Sequence, residues 1–262
     1  MKVHHLNCGS MHMPGAPLVC HVLLLEGERG LCLVDTGFGT GDIADPGGRI
    51  GPYRRVIRPA LVPEQTALEQ VRARGFDPAD VRDIVLTHGD SDHAGGLADF
   101  PAARVHLSAV EADAVTRQPT WFERQRYSAA QWAHHPELVA HPAQGQRWRG
   151  FEGVSALGGI DAAEVLLIPL AGHSRGHCAV AVHDEERDRW VLHAGDAFYH
   201  PGTLDGSARP PLALRWQEAA FAFDRKALRE NQARLGELLS EAAPDLLLVN
   251  AHDPGLLEAA RR

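Results

Sequence analysis

Four apolar runs in this chain each end in a histidine or an aspartate, and that recurrence constrains the fold more than any other feature of the sequence. Ile84-Val85-Leu86 leads into Thr87-His88-Gly89-Asp90-Ser91-Asp92-His93-Ala94-Gly95-Gly96, which places His88, Asp90, Asp92 and His93 within six positions. Leu166 to Leu170 is followed by Ala171-Gly172-His173, Trp190-Val191-Leu192 by His193-Ala194-Gly195-Asp196, and Leu246 to Val249 by Asn250-Ala251-His252. Short apolar runs bounded by turn residues read as buried strands. Strands that each carry such a residue at one end can bring their ligands to one place.

The rest of the chain fits around these runs. Strands are expected over Lys2 to Leu6, Val19 to Leu25 and Gly30 to Asp35, the last two joined by the turn Glu26 to Gly30. Residues 39 to 60, rich in Gly and Pro, read as a long loop with little regular structure. Glu64 to Arg74 has helical spacing with Gly75 as its stop, and Asp77-Pro78 starts a short turn into the strand Asp83 to Thr87. After a strand at Ala103 to Leu107, Ser108-Ala109-Val110-Glu111 has capping-box spacing. Residues 108–151 read as a helical insertion, and within it Trp121, Phe122, Tyr127, Trp132, Trp148 and Phe151 crowd among polar residues from 118 onward. Two readings of those aromatics stand equally: a helical pair packed on the domain, or a lid forming an apolar substrate wall. The last third alternates strands at 165–170, 178–183, 189–194 and 246–250 with a helix from Asp224 to about Ala242, whose apolar face is Leu228, Leu235, Leu238, Leu239 and Ala242. No linker divides the chain, so residues 1–262 are expected to form one α+β domain of two sheets covered by helices.

Charge and composition exclude several function classes. A net charge of -8 argues against nucleic acid as a partner, because phosphate affinity needs a basic footprint. The longest apolar run, Val22 to Leu25, cannot span a membrane, and the first residues lack the apolar core of a signal peptide. Cys8, Cys20, Cys32 and Cys178 are widely spaced and form no C-x-x-C pair, which fits reduced thiols and a cytoplasmic location. A small-molecule substrate is the expected partner, and a homodimer is left open.

Taken together, Leu33-Val34-Asp35-Thr36-Gly37, the Thr87–Gly96 cluster, Gly172-His173-Ser174-Arg175-Gly176-His177, Gly195-Asp196 and Ala251-His252 resemble, in order, the motifs of the metallo-β-lactamase superfamily. The resemblance covers nearly the whole chain and implies a four-layer αβ/βα sandwich with a metal site at one sheet edge. It implies that His88, Asp90 and His173 hold one metal ion, that Asp92, His93 and His252 hold another, and that Asp196 bridges them. Asp35 and His177 are expected behind the ligands as supporting residues. Two divalent ions, zinc first, are the implied cofactors. They would activate water for attack on a carboxylic ester or lactone carbonyl.

Asp90 departs from the pattern, because most hydrolytic members have histidine there. A carboxylate adds negative charge and harder oxygen ligation, which opens the site to iron or manganese. A one-ion alternative, in which Asp90 reaches no metal and the ion lies on the side of His93, stands beside the two-ion reading. Three residues after Asp196 comes Tyr199, a spacing similar to that of the family's acyl-homoserine lactonases, which casts Tyr199 as an oxyanion donor and a catalytic residue. Asp92 is the other catalytic candidate, as acceptor of the nucleophile's proton, while His200 reads as an exposed loop histidine. The competing readings are a diiron oxidoreductase of flavodiiron type and a thioesterase of glyoxalase II type.

Overall fold

A computed structural model describes residues 1–143, 145–160, 165–241 and 245–262. The first half of the chain builds one six-stranded sheet. β1 (Lys2–Met13) and β2 (Ala16–Gly27) form a long antiparallel hairpin, and β3 (Gly30–Val34) returns beside β2. The connection that follows holds α1 (Thr40–Ala44), α2 (Pro46–Arg49), α3 (Arg54–Ile57) and α4 (Ala67–Ala73) before β4 (Val81–Val85) enters parallel to β3. After α5 (Ser91–Ala94) come β5 (Arg104–Ser108), α6 (Ala109–Arg117), α7 (Trp121–Arg126), α8 (Ala129–Trp132) and the edge strand β6 (Glu137–His141). Strand order is sequential, β1 to β6.

The second half builds the other sheet, in the order β12-β11-β10-β9-β8-β7. Its strands begin with β7 (Gln146–Trp148), β8 (Phe151–Ala156), β9 (Val165–Pro169), β10 (Cys178–Asp184) and β11 (Arg189–His193). Then come α9 (Gly202–Asp205), α10 (Leu212–Phe221), α11 (Arg225–Glu241), β12 (Leu246–Val249) and α12 (Pro254–Ala260).

Strand alternation explains the layering, because successive side chains face opposite sides of a sheet. Leu23, Leu25, Cys32, Val34 and Val85 of the first sheet meet Leu167, Val180, Val182, Val191 and Val249 of the second in one buried cluster. Their neighbours Val22, Leu24, Leu33 and Ile84 face the other way and pack with Val71 of α4 and Ala114 and Val115 of α6. On the far side of the second sheet, Leu166, Ile168, Ala179, Ala181 and Leu192 pack with Leu235 and Leu238 of α11. The inner strands therefore have both faces buried, which is why their runs in the sequence are continuous rather than alternating. The result is the α+β, four-layer αβ/βα sandwich.

Several expectations need correction. Residues 39–60 are short helices rather than irregular loop. The 108–151 segment is helical only from 109 to 132; β6 and β7 follow, and they pair as edge strands of the two sheets. Both edges are half exposed, so their residues lack the apolar alternation that announces a strand. The aromatics divide accordingly. Tyr127 is buried with Trp132 beside it under the first sheet, Phe151 is buried with Trp148 beside it under the second, and Trp121 is 68% exposed. Of the α11 face, Leu239 is exposed and Ala242 lies outside the described residues. Ser108 caps α6 by accepting from Glu111 N, but Glu111 does not return the bond and turns its carboxylate elsewhere.

Candidate metal centre

The ends of β3, β4, β11 and β12, together with the loop from β9 to β10, meet at one edge of the sandwich. Backbone bonds hold them there: Asp35 N donates to Val85 O (2.9 Å), Cys178 N to Thr87 O (2.9 Å), Ala251 N to Gly195 O (3.0 Å) and Val19 N to His252 O (3.2 Å). Gly195 has φ +53° and no room for a side chain, since a Cβ would stand 2.6 Å from His177 Nε2. The left-handed turn at this glycine lets Asp196 enter the centre.

His88, Asp90, Asp92, His93, His173, Asp196 and His252 are all brought together. Three sets of ligand atoms each lie within 4.8 Å of one another: His88–Asp90–His173, His88–His93–Asp196 and Asp92–His93–His252. Asp196 is central. Its oxygens stand 3.1 Å from His252 Nε2, 3.2 Å from His93 Nε2, 3.3 Å from His173 Nε2 and 4.0 Å from His88 Nε2.

Supporting bonds decide which nitrogen each ring presents. His93 Nδ1 donates to Asp35 Oδ2 (2.8 Å), His252 Nδ1 to Val19 O (2.8 Å) and His88 Nδ1 to Thr87 Oγ1 (3.0 Å). Asp35 is held in turn by Thr87 N and Thr87 Oγ1, each donating across 2.8 Å. His177 donates from Nδ1 to Leu170 O and accepts Asp196 N at Nε2, both at 3.0 Å, so it fixes the backbone that carries Asp196.

These contacts leave His88 Nε2, His93 Nε2 and Asp196 Oδ1 buried without a hydrogen-bond partner among the described residues. Unpaired buried polar atoms are costly, and these three belong to a single close ligand set. Imidazole nitrogen and carboxylate oxygen suit a first-row divalent ion, so this part of the centre fits a metal.

Electrostatics mark the same edge. Burial opposes ionisation of Asp196, but His252, His93 and His173 outweigh it and hold its carboxyl well below the usual range. Burial opposes ionisation of Asp90 too, and there the Arg126 guanidinium, followed by His88, holds the carboxyl well below that range. Arg126 Nε and Nη2 donate to the two oxygens of Asp90 at 2.6 and 2.7 Å.

Tyr199 lies at the centre's wall. Its hydroxyl donates to Asp196 Oδ2 across 3.0 Å, and its ring is 5.3 Å from that of His252. Beside Tyr199 and His252 opens a cavity of about 180 Å³ lined by Ala16, Leu18, Pro211 and Leu214. His200 is half-buried on the same cavity, its Nδ1 accepting from Gly202 N (3.0 Å), rather than exposed.

Two residues important to this geometry escaped the sequence reading. Arg126 is one. Glu111 is the other: it accepts from Gly89 N (2.9 Å), Tyr127 Oη (2.8 Å), Ser174 Oγ (2.7 Å) and Gly176 N (3.0 Å), tying the His88 loop to the His173 loop. For Arg126 a signal existed, because a carboxylate added at position 90 among other buried acids calls for a cation.

A sequence profile of the metallo-beta-lactamase superfamily matches residues 15–239. Among relatives, the Mycobacterium tuberculosis protein "Probable metallo-hydrolase Rv2300c" is 52% identical over 261 residues, covering 100% of this chain and 83% of its own length. "N-acyl homoserine lactonase AttM" of Rhizobium radiobacter is 25% identical, covering 97% of this chain and 89% of its own. The fold is shared with an N-acyl homoserine lactone hydrolase solved with N-hexanoyl-L-homoserine at its catalytic metal centre. The TM-score is 0.68 at 20% identity, over 98% of this chain and 95% of the other.

Proposed function

The chain belongs to the metallo-beta-lactamase superfamily, and on that premise we propose that it is a metallo-hydrolase that opens a lactone or cleaves a carboxylic ester of a small molecule. The observation that carries this reading is the unpaired set His88 Nε2, His93 Nε2 and Asp196 Oδ1 beside the Tyr199 hydroxyl. The likeness to AttM across nearly the whole chain favours the lactone or ester over other bonds.

A divalent cation held by His88, His93 and Asp196, with Asp92 and His252 adjoining, supplies Lewis acidity and acidifies water when bound; zinc, iron and manganese all suit these donors. The remaining work falls to the chain. Asp92, whose Oδ2 lies 3.6 Å from His252 Nε2, accepts the proton of the attacking water. Tyr199 turns its hydroxyl from Asp196 to the carbonyl oxygen as negative charge develops there. The cavity between Leu18 and Leu214 receives a small apolar substituent of the substrate and excludes water from that side.

Metal-loaded protein offered lactones, carboxylic esters, thioesters and phosphodiesters tests the reading. Turnover of a lactone or ester, abolished by a chelator and restored by metal, is the expected result. Turnover confined to phosphodiesters or thioesters would overturn the choice of bond.

A further inference from the structure

The part of the centre where Asp90 stands already contains a cation, and the chain supplies it. A guanidinium has five N–H donors, and in Arg126 all five are engaged. Nε and Nη2 hold the two oxygens of Asp90, Nη1 donates to His173 O (2.7 Å) and Phe221 O (3.0 Å), and Nη2 also meets His173 Nε2 at 2.5 Å. The side chain is only 5% exposed, and Phe122 and Tyr127 flank it. We propose that Arg126 takes the place of a second metal ion at His88–Asp90–His173, so that the centre binds a single divalent cation among His88, Asp92, His93, Asp196 and His252. This rests on the reading that the centre binds metal.

The contact with His173 is the first reason. An imidazole nitrogen has one lone pair in the ring plane, which accepts a hydrogen bond or binds a metal but does not do both. Arg126 Nη2 can only donate, so its approach to His173 Nε2, a nitrogen that also lies 3.2 Å from Asp90 Oδ2, engages that lone pair. The second reason is how the rings are held. His88, His93 and His252 each have Nδ1 anchored by an oxygen, the arrangement that readies Nε2 for metal. His173 Nδ1 has no hydrogen-bond partner among the described residues.

Charge gives the third reason. Asp90, Asp92 and Asp196 carry three negative charges when ionised, which Arg126 and one divalent ion balance. A second divalent ion would leave a surplus in a buried site whose Asp90 already has an ideal bidentate partner. Arg126 is no mobile finger either, because moving it would leave Asp90, two carbonyl oxygens and a buried guanidinium unpaired together.

The test counts metal. Protein loaded with excess Zn2+ and freed of loose ions by gel filtration is analysed by mass spectrometry. Wild type is expected to retain a single equivalent, and Arg126→Ala to take up a second. Because Arg126→Ala leaves Asp90 unpaired and can fail to fold, His173→Ala provides a second variant, expected to keep its single equivalent. Wild type loaded with Mn2+ should give the electron paramagnetic resonance spectrum of an isolated ion. Two equivalents in wild type, or the spectrum of an exchange-coupled pair, would overturn the proposal and leave the hydrolase reading intact. Loss of the ion from His173→Ala, or an unchanged count in folded Arg126→Ala, would overturn the role of Arg126. No retained metal in wild type would overturn both readings.

Discussion

Asp35 and His93 are joined by a 2.8 Å bond between Oδ2 and Nδ1, with both side chains shut away from water. Asp35 sits just past β3 with φ +59°, a left-handed conformation that aspartate tolerates better than most residues. The bond fixes the His93 tautomer, and the negative charge behind the ring strengthens its Nε2 as a donor. Asp35→Asn keeps the shape and removes the charge. It is expected to weaken metal binding about 10- to 100-fold, read by competition with a chromophoric chelator. Unchanged affinity would mean that Asp35 serves only the fold.

The Tyr199 hydroxyl meets Asp196, and its side chain lines the neighbouring cavity together with His252. Tyr199→Phe keeps the ring against His252 and deletes the donor. An oxyanion donor acts in the transition state, so kcat should fall about 100-fold while KM changes much less. Steady-state kinetics on the best lactone or ester decides; equal turnover would confine Tyr199 to packing.

How much of this could be read from the chain depends on distance along it. Ile84 to Leu86 and Leu246 to Val249 advertise their strands because both faces are buried, and the ligands that follow them are local in sequence. β6 and β7 are short, half-exposed edge strands without apolar alternation, so nothing in their pattern separates them from the helices before them. Asp90 stood out by its type, but its partner is 36 residues away on α7, and no local rule pairs them. Glu111 shows a local rule failing for a physical reason. Its spacing from Ser108 suits a capping box, yet four donors from two loops and a tyrosine compete for the same carboxylate and win.

Those four bonds make Glu111 a stability prediction. It is fully buried, and Glu111→Ala would strand Gly89 N, Gly176 N, Ser174 Oγ and Tyr127 Oη in the interior. A loss of at least about 3 kcal/mol is expected from denaturant unfolding, with Glu111→Gln intermediate because its amide replaces only some of the acceptors. A loss under about 1 kcal/mol would show that water replaces the carboxylate.

Acid should destabilise the protein through histidines that no metal touches. His5 Nδ1 and His21 Nε2 lie 2.9 Å apart in the interior, and His193 Nε2 donates to His21 O across 2.7 Å. Burial first, then His193 and Arg187, Arg189 and Arg261, lower the His5 pKa from 6.5 to about 3. Burial, with His193 and His5 after it, also puts His21 well below the ordinary value. A histidine kept neutral by folding takes its proton first in the unfolded chain, so the unfolded state binds more protons between these two values. The stability held by His5 is therefore complete above pH 6.5 and falls as the pH drops toward about 3. Within that window His5 contributes a slope of up to about 1.4 kcal/mol per pH unit. His5→Gln removes the titration and keeps a polar side chain facing His21. Guanidinium unfolding of wild type and variant from about pH 7 to about pH 5 should give the variant a slope shallower by about one proton. Parallel slopes would show that His5 remains free to protonate in the folded protein.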